Sequence, residues 1–371
     1  MQDAASLLVE TVNQCGGVLG QPVKLVSADD ETKPDRGVAA MTKLTEIDQV
    51  DAVVGAAGSA ITDAILPIAV NRKVVQISPA STSPIFTEQA KQGKYNGYWY
   101  RTAPSDALQG PALAQLAQKN KFRWVAVLAI NNDYGNGLAQ AFIPAFTATG
   151  GTIANAGKPI LYSPDATTFD TEVDQAFQDQ PDALLLIGYP ESGSLILKTA
   201  YEKGFLNNKT KILLTDGMKD KNLARLVGKD ERGNFLTTGM LGTAPRAEGP
   251  GQTAFIQRYQ AKYKRIPGIY NANTWDAVAL LTLAAERAKS PHGEAIKGQL
   301  LTVANGPGQA TSDVCQALAM IRQGKPINYQ GASSDLTLNA SGDVAGSYEV
   351  WTFQPDSTIR SLETITITQS P

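Results

Sequence analysis

Histidine, cysteine and long apolar runs are scarce in these 371 residues, and each shortage excludes a class of chemistry. One histidine and two cysteines stand in the chain. Cys15 and Cys315 lie far apart, and His292 sits in the loop-like Ser290-Pro291-His292-Gly293, so the clustered Cys/His ligands of a zinc site are missing. An oxygen-ligand site for a hard cation stays open. A Ser-His-Asp hydrolase would need His292, and no G-x-S-x-G supplies its nucleophile. The longest nearly apolar stretch, residues 277–285, is far short of the ~20 that a membrane helix needs. A net charge of −2 gives no global field for nucleic acid or anionic membrane, so neither is expected as a partner. No basic-then-apolar leader precedes the first helix. The two cysteines fit one disulfide in an oxidising space or two buried thiols, and spacing does not choose between them.

What is present is an ordinary globular composition, 43% hydrophobic and 18% charged, long enough for two or three domains. Short β-branched runs alternate with helix-length stretches. Strands are expected at 22–27, 51–55, 74–77 and 98–101, with helices at 34–47, 59–71 and 104–119 between and after them. The rhythm repeats with strands at 124–130, 152–156, 183–187 and 212–214. Helices fall at 134–147, where Pro144 should introduce a kink, and at 168–177 and 191–202. A mostly helical stretch, 250–324, precedes a strand-rich tail. Such alternation means βαβ units and largely parallel sheets, too many for one doubly wound sheet. Two α/β lobes sharing the later elements are expected.

In open parallel sheets a ligand sits beyond the carboxyl ends of the strands. The segments there are Gly55-Ala56-Ala57-Gly58-Ser59, Ser78-Pro79-Ala80-Ser81-Thr82, Asn131-Asn132-Asp133-Tyr134, Gly188-Tyr189-Pro190 and Thr215-Asp216-Gly217. Gly58-Ser59 opens a helix, where free N–H groups favour an anion, and the Ser59 and Thr82 hydroxyls can join them. Asp216 can accept from an ammonium group, and Tyr134 and Tyr189 offer apolar walls with polar tips. An anion site with a cation site suits a zwitterion, most simply a free α-amino acid. Each residue alone has a plainer reading: Ser59 and Thr82 as cap or turn residues, Asp216-Gly217 as a turn, the tyrosines as packing. Small Ala57 and Gly58 beside aromatic residues favour a neutral, fairly large side chain on the solute. Lys219 and Arg101, close by in sequence, keep an acidic one open.

The segments also resemble a known family. Asn13-Gln14-Cys15-Gly16-Gly17-Val18-Leu19-Gly20 with Asp29-Asp30 and Pro34-Asp35-Arg36 resembles the opening of periplasmic leucine/isoleucine/valine-type solute-binding proteins. Ile77-Ser78-Pro79-Ala80-Ser81-Thr82 resembles their S-P-A-[ST]-T signature, and Asp133-Tyr134-Gly135-Asn136-Gly137 their D-Y-G-x-G turn. Tyr100-Arg101-Thr102-Ala103-Pro104-Ser105-Asp106 followed by Gln109-Gly110, and Tyr329-Gln330-Gly331-Ala332-Ser333 with Gly342-Asp343, complete an ordered set along nearly the whole chain.

The resemblance implies a type I periplasmic binding fold: two doubly wound α/β lobes, 1–103 with 245–346 and 104–244 with 347–371, joined by a three-strand hinge over an interlobe ligand cleft. It implies a periplasmic or extracytoplasmic solute receptor of an ABC importer, monomeric, with permease and ATPase partners, and leaves a lipid anchor before processing open. Catalysis, metal and cofactors play no part. By matching motif, Ser59, Ala80 (through its backbone) and Thr82 hold the ligand carboxylate, Tyr134 and Tyr189 line the second lobe, and Asp216 takes the ammonium. Trp275 matches an aromatic pocket position, although Trp275, Val278 and Leu281 equally have core spacing. The family opens with a strand before its first helix, which this chain enters almost at once. A sensory module of the same fold, or capture of an amide, urea-like solute or aromatic acid, is the alternative. A nucleotide-dependent enzyme fails for want of G-x-G-x-x-G or G-x-x-x-x-G-K-[ST].

Overall fold

Strand-sized β-branched runs set the architecture. The structure, a computed structural model, describes residues 1–206 and 209–367. Four strands in chain order are β1 (Ala52–Val54), β2 (Val75–Ser78), β3 (Trp99–Arg101) and β4 (Trp124–Ile130). Then come β5 (Thr152–Ile153), β6 (Ile160–Tyr162), β7 (Ala183–Ile187), β8 (Lys211–Leu214) and β9 (Leu241–Pro245). The last are β10 (Gln309–Thr311), β11 (Ile327–Tyr329), β12 (Ser347–Phe353) and β13 (Ile359–Thr366). The chain divides into two units, Met1–Ser105 with Ala247–Ala345 and Asp106–Arg246 with Gly346–Pro371.

The first unit holds a parallel sheet β1-β2-β3 and a parallel pair β10-β11. Its core gathers on the helix Asn271–Ala288, buried on almost every face, against Leu8, Val12, Val75, Ile77 and Tyr329. The helix Gln2–Gln14 packs its Leu7–Leu8–Val12 face there, and a Cys15–Cys315 disulfide, with Cα atoms 5.5 Å apart, ties its end to the helix Val314–Arg322. The bridge thus joins two elements already in one core.

One expected strand of this unit is not formed. Residues 22–27 have no ladder partner, and Pro22, Lys24, Leu25 and Ser27 are exposed. Extended backbone becomes a strand only when a neighbour takes its N–H and C=O groups. Here the Asn13 side-chain amide does so for one residue, accepting from Val23 N at 2.7 Å and donating to Val23 O at 2.9 Å.

The second unit is built on one sheet in the order β13-β12-β9-β8-β7-β4-β5, with β6 also pairing β4. From β9 to β5 the pairs are parallel, while β12 and β13 run antiparallel at the edge. Every residue of β7 is fully buried, which suits a continuous Ala-Leu-Leu-Leu-Ile run covered on both faces. The expected strand at 152–156 shrinks to β5, and the chain turns at once through Asn155 and Ala156, both at positive φ. The helix Asp133–Ala148 continues past Pro144. Among the described residues no helix is long and apolar enough to cross a membrane.

Candidate functional site

In the first unit, hydroxyl groups lace the loop after β1 to the loop after β2. Ser78 Oγ donates to Ala56 O at 2.6 Å and accepts from Ser81 N at 2.9 Å. Thr62 Oγ1 lies 2.8 Å from Ser81 Oγ and accepts from Ala56 N at 3.1 Å. Ser59 opens the helix Ser59–Arg72 and its Oγ accepts from Ser83 N at 3.3 Å. That bond uses a lone pair and leaves the hydroxyl proton for another acceptor. Ser59 and Thr82 are both buried. Ala80 N donates to Ser78 Oγ at 3.2 Å, so what Ala80 has left is a carbonyl, which takes a donor and not a carboxylate.

Trp275 belongs to the same unit. Its ring packs 5.5 Å from Phe255 within the core, in keeping with the helical spacing of Trp275, Val278 and Leu281. Next to it, Asp276 is buried and accepts from Ala332 N, Ser333 N and Ser333 Oγ at 2.5–2.7 Å. Burial outweighs those donors and pushes its carboxyl up to about 7.

In the second unit, Tyr134, Tyr189 and Asp216 come together. Asn132 caps the helix that carries Tyr134, its side chain accepting from Gly135 N at 2.9 Å. Tyr189 caps the helix Pro190–Glu202, and the two rings stack with centroids 5.5 Å apart. Asp216 begins a single turn just after β8. Its Oδ1 accepts from Tyr134 OH at 2.8 Å and from Gln109 Nε2 at 3.0 Å. Gln109 Nε2 also reaches Thr243 O at 3.3 Å, which fixes the orientation of its amide. Burial first, then the negative charges of Asp216 and Asp106, holds the Tyr134 phenol well above its ordinary range. The Tyr189 phenol is raised for the same leading reasons. Both stay protonated as hydrogen-bond donors at neutral pH.

The two cations that left an acidic solute open have partners. Lys219 pairs with Glu349, and Arg101 with Asp343 at 2.7 Å. Sequence reasoning assigned no role to Gln109, Thr215 or Asp343. Their signal was present, since Gln109-Gly110 and Gly342-Asp343 stand in the motif set, but nothing local says what they touch. Among the described residues no group of three or more His, Cys, Asp or Glu gathers as metal ligands.

Comparison with known proteins gives the family of the chain. A family model described as periplasmic binding protein matches residues 1–345. The chemotactic signal transduction system substrate-binding protein BasB of Halobacterium salinarum is 26% identical over 94% of this chain and 80% of its own. Leu/Ile/Val-binding protein homolog 3 of Brucella melitensis is 25% identical over 98% of this chain and 88% of its own. The crystal structure of the leucine-binding protein LivK from Thermotoga maritima superposes with a TM-score of 0.80 at 27% identity, covering 98% of this chain and 93% of that one. With the match spanning both units, the chain belongs to the periplasmic binding protein family.

Proposed function

We propose that the protein is an extracytoplasmic receptor that captures a free amino acid with a neutral aliphatic or aromatic side chain and delivers it to the permease and ATPase of an ABC importer. The Ser59 and Thr82 hydroxyls and the N–H groups beside them take the carboxylate of the amino acid. Asp216, oriented by Tyr134 and Gln109, takes its ammonium, and Ala80 O accepts a further ammonium proton. Tyr189 stacks on Tyr134 and gives the side chain an apolar wall. The observation that carries this reading is the polarity of the two units: hydroxyls and a helix start in one, a buried carboxylate with the Tyr134 hydroxyl as donor in the other. Lys219 and Arg101 are engaged by carboxylates of their own, so neither is offered to an acidic side chain. The Cys15–Cys315 bridge supports an oxidising compartment.

Calorimetric titration with the twenty amino acids tests this. Binding of neutral L-amino acids is expected, and Asp216→Ala should weaken it by ~2–5 kcal/mol, since a charge pair inside a closed site loses one partner. Unchanged affinity in that variant would overturn the assignment of Asp216.

A sensory role is the second reading, favoured by the similarity to a chemotactic substrate-binding protein. Ligand capture is then the same and the partner differs. Cross-linking of the loaded protein in its native membrane separates the two: importer subunits are recovered in the first case, a transducing receptor in the second.

A further inference from the structure

Arg101 has no exposed surface, and each of its three guanidinium nitrogens has a partner within the first unit. Nε donates to Asp343 Oδ1 at 2.7 Å, and Nη2 to Thr87 Oγ1 at 2.8 Å. Thr87 Oγ1 in turn donates to Asp343 Oδ2 at 2.9 Å, closing a ring of three side chains. The remaining nitrogen, Nη1, donates to two backbone carbonyls, Ser81 O at 3.3 Å and Ser83 O at 2.9 Å. These are the carbonyls on either side of Thr82.

Peptide geometry turns that bracket into a direction. The Ser81–Thr82 peptide is trans, so its C=O and N–H point to opposite sides of one plane. With Ser81 O drawn to Arg101, Thr82 N–H projects from the far side. The Ser83 N–H is committed to Ser59 Oγ, so the next peptide plane is fixed as well. Neither torsion of Thr82 is then free to turn, so Arg101 and Ser59 together fix the backbone on both sides of it.

We infer that Arg101, locked by Asp343 and Thr87, is a positioning residue that sets the loop at Thr82 in the form that reads the carboxylate of the solute. This rests on the amino-acid reading above. Lysine cannot replace it, because one ammonium lacks the planar fork that reaches Asp343, Thr87 and two carbonyls at once.

The test uses Arg101→Lys and, as a milder break of the ring, Thr87→Val. Affinities for L-leucine and for L-leucinamide, which lacks the carboxylate, are measured by calorimetry, and hydrogen exchange over residues 78–86 is followed in the ligand-free protein. The wild type should prefer leucine over the amide. Both variants should lose at least tenfold of that preference, with faster exchange confined to this segment. A general loosening of the fold would weaken both ligands alike and keep their ratio. Variants that keep the ratio and the exchange pattern overturn the role of Arg101 alone. A wild type that binds neither leucine nor any other amino acid overturns the amino-acid reading, and the inference with it.

Discussion

The Tyr134 hydroxyl lies 2.8 Å from both Asp216 Oδ1 and Thr215 Oγ1, so one buried phenol fixes the carboxylate and the residue before it. Tyr134→Phe removes that donor and leaves the ring stacked on Tyr189. A hydrogen bond to a charged group contributes about 1.5–3 kcal/mol, and a loss of that order is expected in urea denaturation of the ligand-free protein. Saturating amino acid should narrow the loss, because its ammonium supplies a donor to the same carboxylate. The phenol also has a pH signature. Its folded value stands well above the ordinary 10.0, so the folded state keeps a proton that the unfolded state releases above pH 10. The stability it contributes is therefore fully present below pH 10 and falls beyond it. Absorbance titration of wild type against Tyr134→Phe should show no difference between pH 7 and 10.

Gly217 is required by close approach. A Cβ there would stand 2.5 Å from Gly188 O and 3.0 Å from the Tyr134 hydroxyl. Gly217→Ala must push the Asp216 turn away from β7 or displace Tyr134. The expected cost is ~1–3 kcal/mol of stability, the usual range for overpacking. Affinity for a neutral amino acid should fall with it, read by calorimetry. An alanine variant with wild-type affinity would mean that the Tyr134–Asp216 contact does not govern binding.

Much of this was legible in the sequence, and the rest fails for physical reasons. The run Ala-Leu-Leu-Leu-Ile at β7 and the short β-branched runs of β1 and β2 announce parallel strands. Residues 22–27 carry the same local signal, yet a strand depends on its neighbour, and local pattern is silent about neighbours. β6 escaped notice because three residues with an exposed Leu161 between buried ones make too short a pattern. Gln109 and Asp216 meet across 107 residues of chain, and Arg101 and Asp343 across 242. The residue types of such pairs are visible in a sequence, but their pairing comes only from topology.

The Cys15–Cys315 bridge closes a loop of 300 residues onto two helices of one core. Because both helices already pack there, Cys15→Ser with Cys315→Ser should fold but melt earlier. A loss of ~2–4 kcal/mol is expected, from the added freedom of the unfolded chain. Calorimetric melting of the oxidised wild type, the reduced wild type and the double variant checks this. The last two should coincide, and affinity for the solute should be unchanged, since neither cysteine is among the proposed solute contacts.

Asp276 gives the first unit a stability term that runs against the usual carboxylate trend. Its folded value of about 7 lies above the unfolded 3.8, so the folded state holds a proton between those limits that the unfolded state has released. Stability from this group is complete below pH 4, declines as pH rises towards 7, and is flat above. In Asp276→Asn the titration is gone, although the amide cannot accept from Ala332 N and Ser333 N through both of its polar atoms as the carboxyl does. The variant should be less stable throughout. Its deficit relative to wild type should shrink as urea midpoints are followed from pH 5 to pH 8. A deficit that stays flat from pH 5 to pH 8 would mean that the three donors from Ala332 and Ser333 outweigh burial and keep the carboxylate ionised.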